Sequence, residues 1–313
     1  MLPYTLRRLG IGLLLAMLVT LITFWMLSFS FDGIAAGILG PASSPERIDA
    51  LQEEMGLNRP VIVQYGEWLF HAVQGNFGIS YFTSEPVVGA VLDRLAVTLS
   101  IVLVALLLSV IVSVVLGVLA ASRAGVIDKT AQGISLLGLI FPNLLIAIVL
   151  VLLLSLNLKL LPATGFTPFA EDPLQWLRSI TIPVIVLVIN GISNMMAQVR
   201  GTMVGELQSD YIRTLRSRGI STGSIVYKHA LRNAAAPALI VLSLEFIQMF
   251  GGALIIENVF ALPGFGSFAF NSALQGDIPV IMGVTVFSTL LVVCVNLVTD
   301  LINGWLNPKA RIY

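Results

Sequence analysis

Apolar residues run along the chain in six long blocks, at 9–31, 97–122, 132–156, 180–199, 236–257 and 279–306, each with few charged positions. A helix crossing a hydrocarbon core of about 30 Å needs about 20 mostly apolar residues, so each block predicts a membrane-spanning helix. Lipid offers no partner to a free backbone N–H or C=O, which makes any other conformation costly there. Pro142 interrupts the third block and Pro183 opens the fourth, and membrane helices tolerate both. The sixth block is the longest and carries Asn296, Asp300 and Asn303 near its end, so its apolar core is shorter than the block itself. The first block follows Arg7 and Arg8, as a signal sequence would. Its apolar stretch exceeds the usual h-region of about 7–15 residues and no small-residue cleavage site follows promptly, so it reads as a retained anchor.

Two polar intervals are too long to be simple connectors. The first, 32–96, carries a helix-like stretch at 44–55, with Ser44 as N-cap, Pro45 at the first helical position and Gly56 just past the end. A second amphipathic piece follows at 61–73, so this interval reads as a small helical subdomain on the membrane surface. The other interval, 201–235, continues the fourth block, passes through a basic helical stretch and breaks at Gly219. A second short helix, 221–232, is expected after it, capped by Ser221, with Ile225, Val226, His229 and Ala230 on one apolar face. A surface-parallel helix with an apolar face and a basic rim suits docking into a partner, and equally suits contact with anionic lipid.

Composition agrees with a lipid-solvated chain: 57% of the 313 residues are hydrophobic and only 11% are charged. A soluble domain carries about 25% charged residues, so this chain cannot cover a water-facing surface of its size. Net charge is zero, and nothing in the balance points to nucleic acid. The distribution is more informative. Twelve of the 17 Lys and Arg fall on the N-terminal side of the expected membrane and five on the other, and the interval 260–278 has none. The positive-inside rule therefore places both termini in the cytoplasm, consistent with six crossings. The fold class expected is all-α, a polytopic membrane protein of about six transmembrane helices.

Chemistry-bearing residues are sparse. His71 and His229 are the only histidines and lie on opposite sides of the expected membrane, and Cys294 is the one cysteine, inside an apolar block. They cannot assemble a metal site or a nucleophile with its base, so no catalytic residue and no metal ligand is expected. None of the four lysines follows a glycine, so the chain has no phosphate-cradling GxxxxGK[ST] loop and cannot itself bind and hydrolyse ATP in that way. Glu245 is the clearest ionisable residue deep in a block, with Asp300 and Glu257 nearer the two ends. Intramembrane carboxylates are functional candidates, and Glu245 suits lining a pathway, pairing with a second membrane subunit or bonding a neighbouring helix.

The segment 210–237, DYIRTLRSRGISTGSIVYKHALRNAAAP, resembles the cytoplasmic "EAA" loop of ABC importer permeases, in the form found in the oligopeptide, dipeptide and nickel group. Arg213-Thr214-Leu215 stands at the triplet position and departs from the EAA letters, Gly219 is the glycine, and 229–233 (HALRN) closes the motif. Further pieces follow in register: GLNRP at 56–60, GNFGISY at 75–81, LPATG at 161–165, ENVFALPGFG at 257–266, GDIPV at 276–280 and NPK at 307–309. The similarity covers nearly the whole chain. One departure is Gln198 with Arg200, where the group often has two arginines three apart.

The resemblance implies a type I ABC importer permease architecture in a bacterial inner membrane. It implies as partners a second homologous permease, two ABC ATPase subunits that bind ATP and Mg, an external substrate-binding protein and membrane lipid. The organisation expected is an N-terminal cytoplasmic end with the first helix (1–31), an external helical loop (32–96), a five-helix permease core (97–306) containing the coupling loop 201–235, and a cytoplasmic tail (307–313). ATPase coupling would fall to Arg216, Arg218, Gly219, Ser221, Ile225, Val226, Lys228, His229 and Arg232, with Ile225, Val226 and His229 as anchors. An external gate would involve Glu257, Pro263, Gly264, Phe265, Gly266 and Asp277, the glycines and proline suiting a tight, partly re-entrant hairpin. The cargo implied is peptide, with chelated nickel or another small solute as the alternative. A secondary transporter would be expected to show repeated halves and broken helices around midplane ions. No internal repeat is evident, which sets that reading, and a simple channel subunit, behind the importer.

Overall fold

The computed structural model describes residues 2–40, 43–123 and 125–306. The ending at 307–309, the tail 307–313 and the basic residues Lys309 and Arg311 lie outside the described residues. Among the described residues the named elements are all helices: α1 (Leu2–Ser28), α2 (Phe31–Leu39), α3 (Pro45–Glu54), α4 (Val61–Val73), α5 (Val87–Ser122), α6 (Val126–Ile140) and α7 (Asn143–Leu150) come first. A π-helical stretch, Val151–Asn157, extends α7. Then come α8 (Pro173–Leu207), α9 (Asp210–Ser217), α10 (Thr222–Ser224), a second π-helical stretch Ile225–Ala230, α11 (Leu231–Val259), α12 (Phe265–Gln275) and α13 (Ile278–Leu306). Among the described residues five stretches are long and apolar enough to cross a membrane: Thr5–Ser28, Val87–Ser122, Pro173–Leu207, Val241–Val259 and Ile278–Gly304.

The third expected span is not one helix. It divides at Phe141 and Pro142 into α6 and α7, because proline has no N–H to give the preceding turn and its ring keeps the residue before it out of the helical region. Pro142 itself is extended, with ψ 143°, and becomes the N-cap of α7. The fourth span begins earlier than expected, and Pro183 lies inside it. Its true start is Asp172-Pro173: the Asp172 carboxylate accepts from the N–H groups of Leu174 (2.9 Å) and Gln175 (3.0 Å), and Pro173 occupies the first helical position, where no donor is needed.

The chain forms two compact units, Met1–Val97 with Pro263–Leu297, and Thr98–Leu262 with Val298–Tyr313. In the first, α4 lies against α1 and α2: Phe24, Phe31, Ile34, Tyr65, Ile278 and Met282 form its buried centre. The Phe24 ring meets Phe31 and Tyr65 edge-on at 6.0 and 5.8 Å, and the Tyr65 hydroxyl bonds Thr20 Oγ1 at 3.0 Å. The expected helices of the first long interval are present as α3 and α4, with Pro45 and Gly56 (φ +68°) in their expected places.

The second unit is built on α8, which packs against α6, α7 and α11. Small residues bring these helices close, as membrane packing favours. A Cβ on Gly138 of α6 would fall on Ser193 Oγ and 3.1 Å from the Ile189 carbonyl of α8. A Gly138→Val chain is therefore expected to lose about 1–3 kcal/mol through overpacking. A lowered unfolding temperature in detergent checks this, and an unchanged one would mean α6 and α8 are not in this contact.

Candidate functional site

The basic segment after α8 folds as a compact helical turn. α8 ends at Leu207, Ser209 leads into α9, Gly219 takes the left-handed backbone (φ +75°) that glycine adopts most readily, and Ser221 starts α10. From Thr222 the chain stays helical through the π-helical stretch into α11. The short helix expected at 221–232 thus does not end at Arg232 but forms the first turns leading into the fifth span. Nothing in 231–236 (LRNAAA) stops it: there is no glycine, and alanine is the strongest helix former.

Burial corrects two of the expected anchors. Ile225 is 1% exposed and Val226 is 5% exposed. They pack with Val199, Met203 and Ile212 inside the unit, so neither is available to a partner. The exposed residues are their neighbours. Tyr227 is 63% exposed, Lys228 and Arg232 are exposed, and His229 is half-buried. Arg213, Arg216, Arg218, Gly219 and Ser221 are exposed as well, with Arg213 Nη1 3.3 Å from Asp210.

A polar tie that the residue pattern did not single out braces this segment. The Tyr211 hydroxyl donates to Glu206 Oε2 at 2.7 Å, and the Asn233 amide donates to the Tyr211 oxygen at 3.1 Å. The end of α8, α9 and the start of α11 are thereby joined. Partial burial, and then the bond to the Glu206 carboxylate, raise Tyr211 above the ordinary tyrosine range. Close by in sequence, Arg200 of α8 holds both carboxylate oxygens of Asp128 of α6 through its Nε and Nη2 donors. That bond is the main reason the Asp128 carboxyl is lowered to about 2.

The expected gate residues fall in separate places. Glu257 is 1% exposed near the end of α11, where Thr98 Oγ1 donates to its carboxylate. Pro263 is exposed, Gly264 is the buried, extended N-cap of α12, Phe265 is buried and Gly266 half-buried. The stretch expected as a tight hairpin is instead the helix α12, closed by Gly276 in the left-handed region. FGSFAFNSALQ has no breaker after Gly266, so the permissive residues start the helix rather than bend a hairpin. Asp277, 2% exposed, receives the Ser80 hydroxyl at 2.5 Å and the Tyr81 N–H at 3.3 Å. Ser80 Oγ in turn accepts from the Thr83 N–H at 3.0 Å. The Asp277 carboxylate thus ties GNFGISY to GDIPV. Burial, and then the Asp277 charge, raise the Tyr81 hydroxyl.

Glu245 of α11 is 4% exposed, with the Asn194 amide of α8 donating to it at 3.4 Å. Asn190, one turn earlier, donates to Asn143 at the start of α7. Sequence reasoning passed over these three asparagines. Their signal is polarity at the centre of spans otherwise apolar. Among the described residues no three His, Cys, Asp or Glu side chains gather where they could hold a metal ion.

Helices of membrane-spanning length, a braced basic turn between α8 and α11 and an acid-tied loop at the start of α13 define a helical, polytopic membrane protein. Residues 113–312 match the family of binding-protein-dependent transport system inner membrane components, and 1–102 match that family's N-terminal domain. The chain belongs to this family and is an inner-membrane protein. It is similar to a peptide transport system permease protein of Brucella abortus, 34% identical over 307 residues and 98% of each chain. It is similar also to a peptide ABC transporter permease protein of Sinorhizobium fredii, 33% identical over 98% of this chain and 99% of the other. A third relative, the oligopeptide transport system permease protein AppB of Bacillus subtilis, is 32% identical over 99% of each.

Proposed function

We propose that this chain is a permease subunit of an ATP-driven, binding-protein-dependent importer of di- or oligopeptides, with both termini in the cytoplasm. The peptide cargo rests on the relatives, whose names specify peptides. Its partners would be a second, homologous permease sharing the pore, two ABC ATPases carrying ATP and Mg, and an external binding protein that delivers the cargo.

The observation that carries the mechanism is the exposed basic face of the braced turn. Arg213 and Arg216 of α9, Arg218 beyond it, and Tyr227, Lys228 and Arg232 further along the segment are all exposed, cations together with an aromatic side chain. Aromatic and arginine side chains are enriched in interface hot spots, and this rim suits an acidic groove on an ATPase. The tie from Tyr211 to Glu206 and Asn233 would make the turn rigid enough to pass nucleotide-driven closure to α8 and α11 as a rigid-body movement.

The test is co-purification from the native host in mild detergent, followed by peptide uptake in vesicles. Recovery of a second permease and two P-loop ATPases with binding-protein-dependent uptake is expected. Recovery of the chain alone, where a known importer stays intact, overturns the reading. An Arg216→Glu chain is expected to insert normally and to weaken ATPase retention about tenfold or more, because the reversed charge repels the partner's acidic groove. Unchanged ATPase retention and uptake would remove α9 from the docking face.

A further inference from the structure

The second unit carries a broken helix and, on the helices packed beside it, a set of neutral amides. The break at Phe141 and Pro142 separates α6 from α7, and Phe141 is 49% exposed. Asn143, the first residue of α7, accepts a hydrogen bond from Asn190, which lies midway along α8. Asn194 and Gln198 follow Asn190 at four-residue spacing, so the three share one face of α8. Asn190 and Asn194 are half-buried and Gln198 is exposed, as is Gln248, three residues past Glu245 on α11.

These amides are a poor match for lipid. Burying an unpaired amide in hydrocarbon costs about 4–8 kcal/mol. Irregular backbone at membrane depth persists only where it meets protein or lines a water-filled cavity. The adjacent face of α8 shows the contrast: Ile189, Ile192 and Ser193 border an almost wholly apolar hollow of about 280 Å³ with Ile134, Phe141 and Ile146. The break is thus apolar on one side and amide-bearing on the other. Glu245, being 4% exposed, lies behind that face and accepts from Asn194, which fixes the amide's direction.

We propose that Asn143, Asn190, Asn194, Gln198 and Gln248 form this chain's wall of the translocation pathway, with Glu245 positioning Asn194. The inference rests on the importer reading above and assigns the surface along which the peptide travels. Neutral amides suit that cargo chemically. Each offers a donor and an acceptor, as every peptide bond does, so the wall can exchange hydrogen bonds with a passing backbone whatever side chains it carries. A charged wall would hold peptides of opposite charge and exclude those of like charge.

The test uses the assembled importer with Cys294 replaced by alanine, carrying single cysteines at Asn194, Gln248 or Leu107. Leu107 belongs to an exposed apolar stripe of α5 with Leu103, Ile111 and Val115. A membrane-impermeant, hydrophilic thiol reagent is applied from each side, with and without ATP. Thiols in water ionise and react, whereas thiols in apolar surroundings do not, so Asn194→Cys and Gln248→Cys are expected to label at least about tenfold faster than Leu107→Cys in one state. Gln248 is exposed, so its substitution leaves the fold intact even if Asn194→Cys does not assemble. Peptide uptake by the Cys294→Ala parent reports on the importer reading separately. With that uptake present, labelling no faster than at Leu107 in every state overturns the pathway wall. Labelling seen only after the second permease is removed also overturns it and assigns the face to the subunit interface.

Discussion

An Ile225→Asp chain is expected to insert into the membrane, lose the fold of its basic turn and fail to transport. Ile225 is 1% exposed and packs with Ile212, Met203 and Val199, so the substitution removes a buried side chain and leaves a carboxylate without a partner. Together these cost about 4 kcal/mol or more. Such a loss would separate α9 from the start of α11, and the arginines of this turn would become open to trypsin in inside-out vesicles. Tyr227→Asp provides the contrast. Tyr227 is 63% exposed, so an acidic residue there leaves the turn folded and tests the proposed docking face alone. Transport should fall in both variants, whereas cleavage should accelerate only for Ile225→Asp. Wild-type cleavage rates in both would mean that Ile225 does not hold the turn together.

The second large effect is expected at Asp277. Its carboxylate receives the Ser80 hydroxyl and the Tyr81 N–H, while Ser80 Oγ accepts from the Thr83 N–H, so one acid organises the 78–83 turn. Asp277→Ala leaves buried donors unpaired at about 1–3 kcal/mol each, enough to let the turn open about tenfold or more often. Hydrogen exchange of the amides at 80–87 should accelerate accordingly, with transport reduced because the loop joining GNFGISY to GDIPV is no longer held. Asp277→Asn retains an acceptor for the Tyr81 N–H and should recover most of the protection. Equal exchange in wild type and Asp277→Ala would show that the carboxylate is not the tie.

How much of this was legible before folding varies with the reach of the interaction. Hydropathy is a local quantity, and the membrane-spanning character of the chain follows from it with no tertiary information. The α3 and α4 helices were also legible, because Ser44, Pro45 and Gly56 are local start and stop signals and 61–73 repeats at helical spacing. The basic turn was recognisable from composition and order, including the break at Gly219. Membership of the family was carried by motifs in register along nearly the whole chain.

Tertiary structure decided what depends on helix phase and on distant partners. Ile225 and Tyr227 lie two residues apart, so any helix turns them to opposite sides; that the Ile225 side is the buried one is decided by its packing against Val199 and Met203 of α8 and Ile212 of α9. Pro142 and Pro183 are the same residue in similarly apolar blocks. One ends a helix and the other is enclosed in it, because a capped start at Asp172-Pro173 and the packing of α8 override local preference at Pro183. The Ser80–Asp277 bond joins residues 197 positions apart, and the Asn143–Asn190 pair joins α7 to α8. Sequence alone specifies that such polar groups need partners. Which partners they find follows from how the helices are brought together, since each bond forms only after packing has placed its two ends within reach.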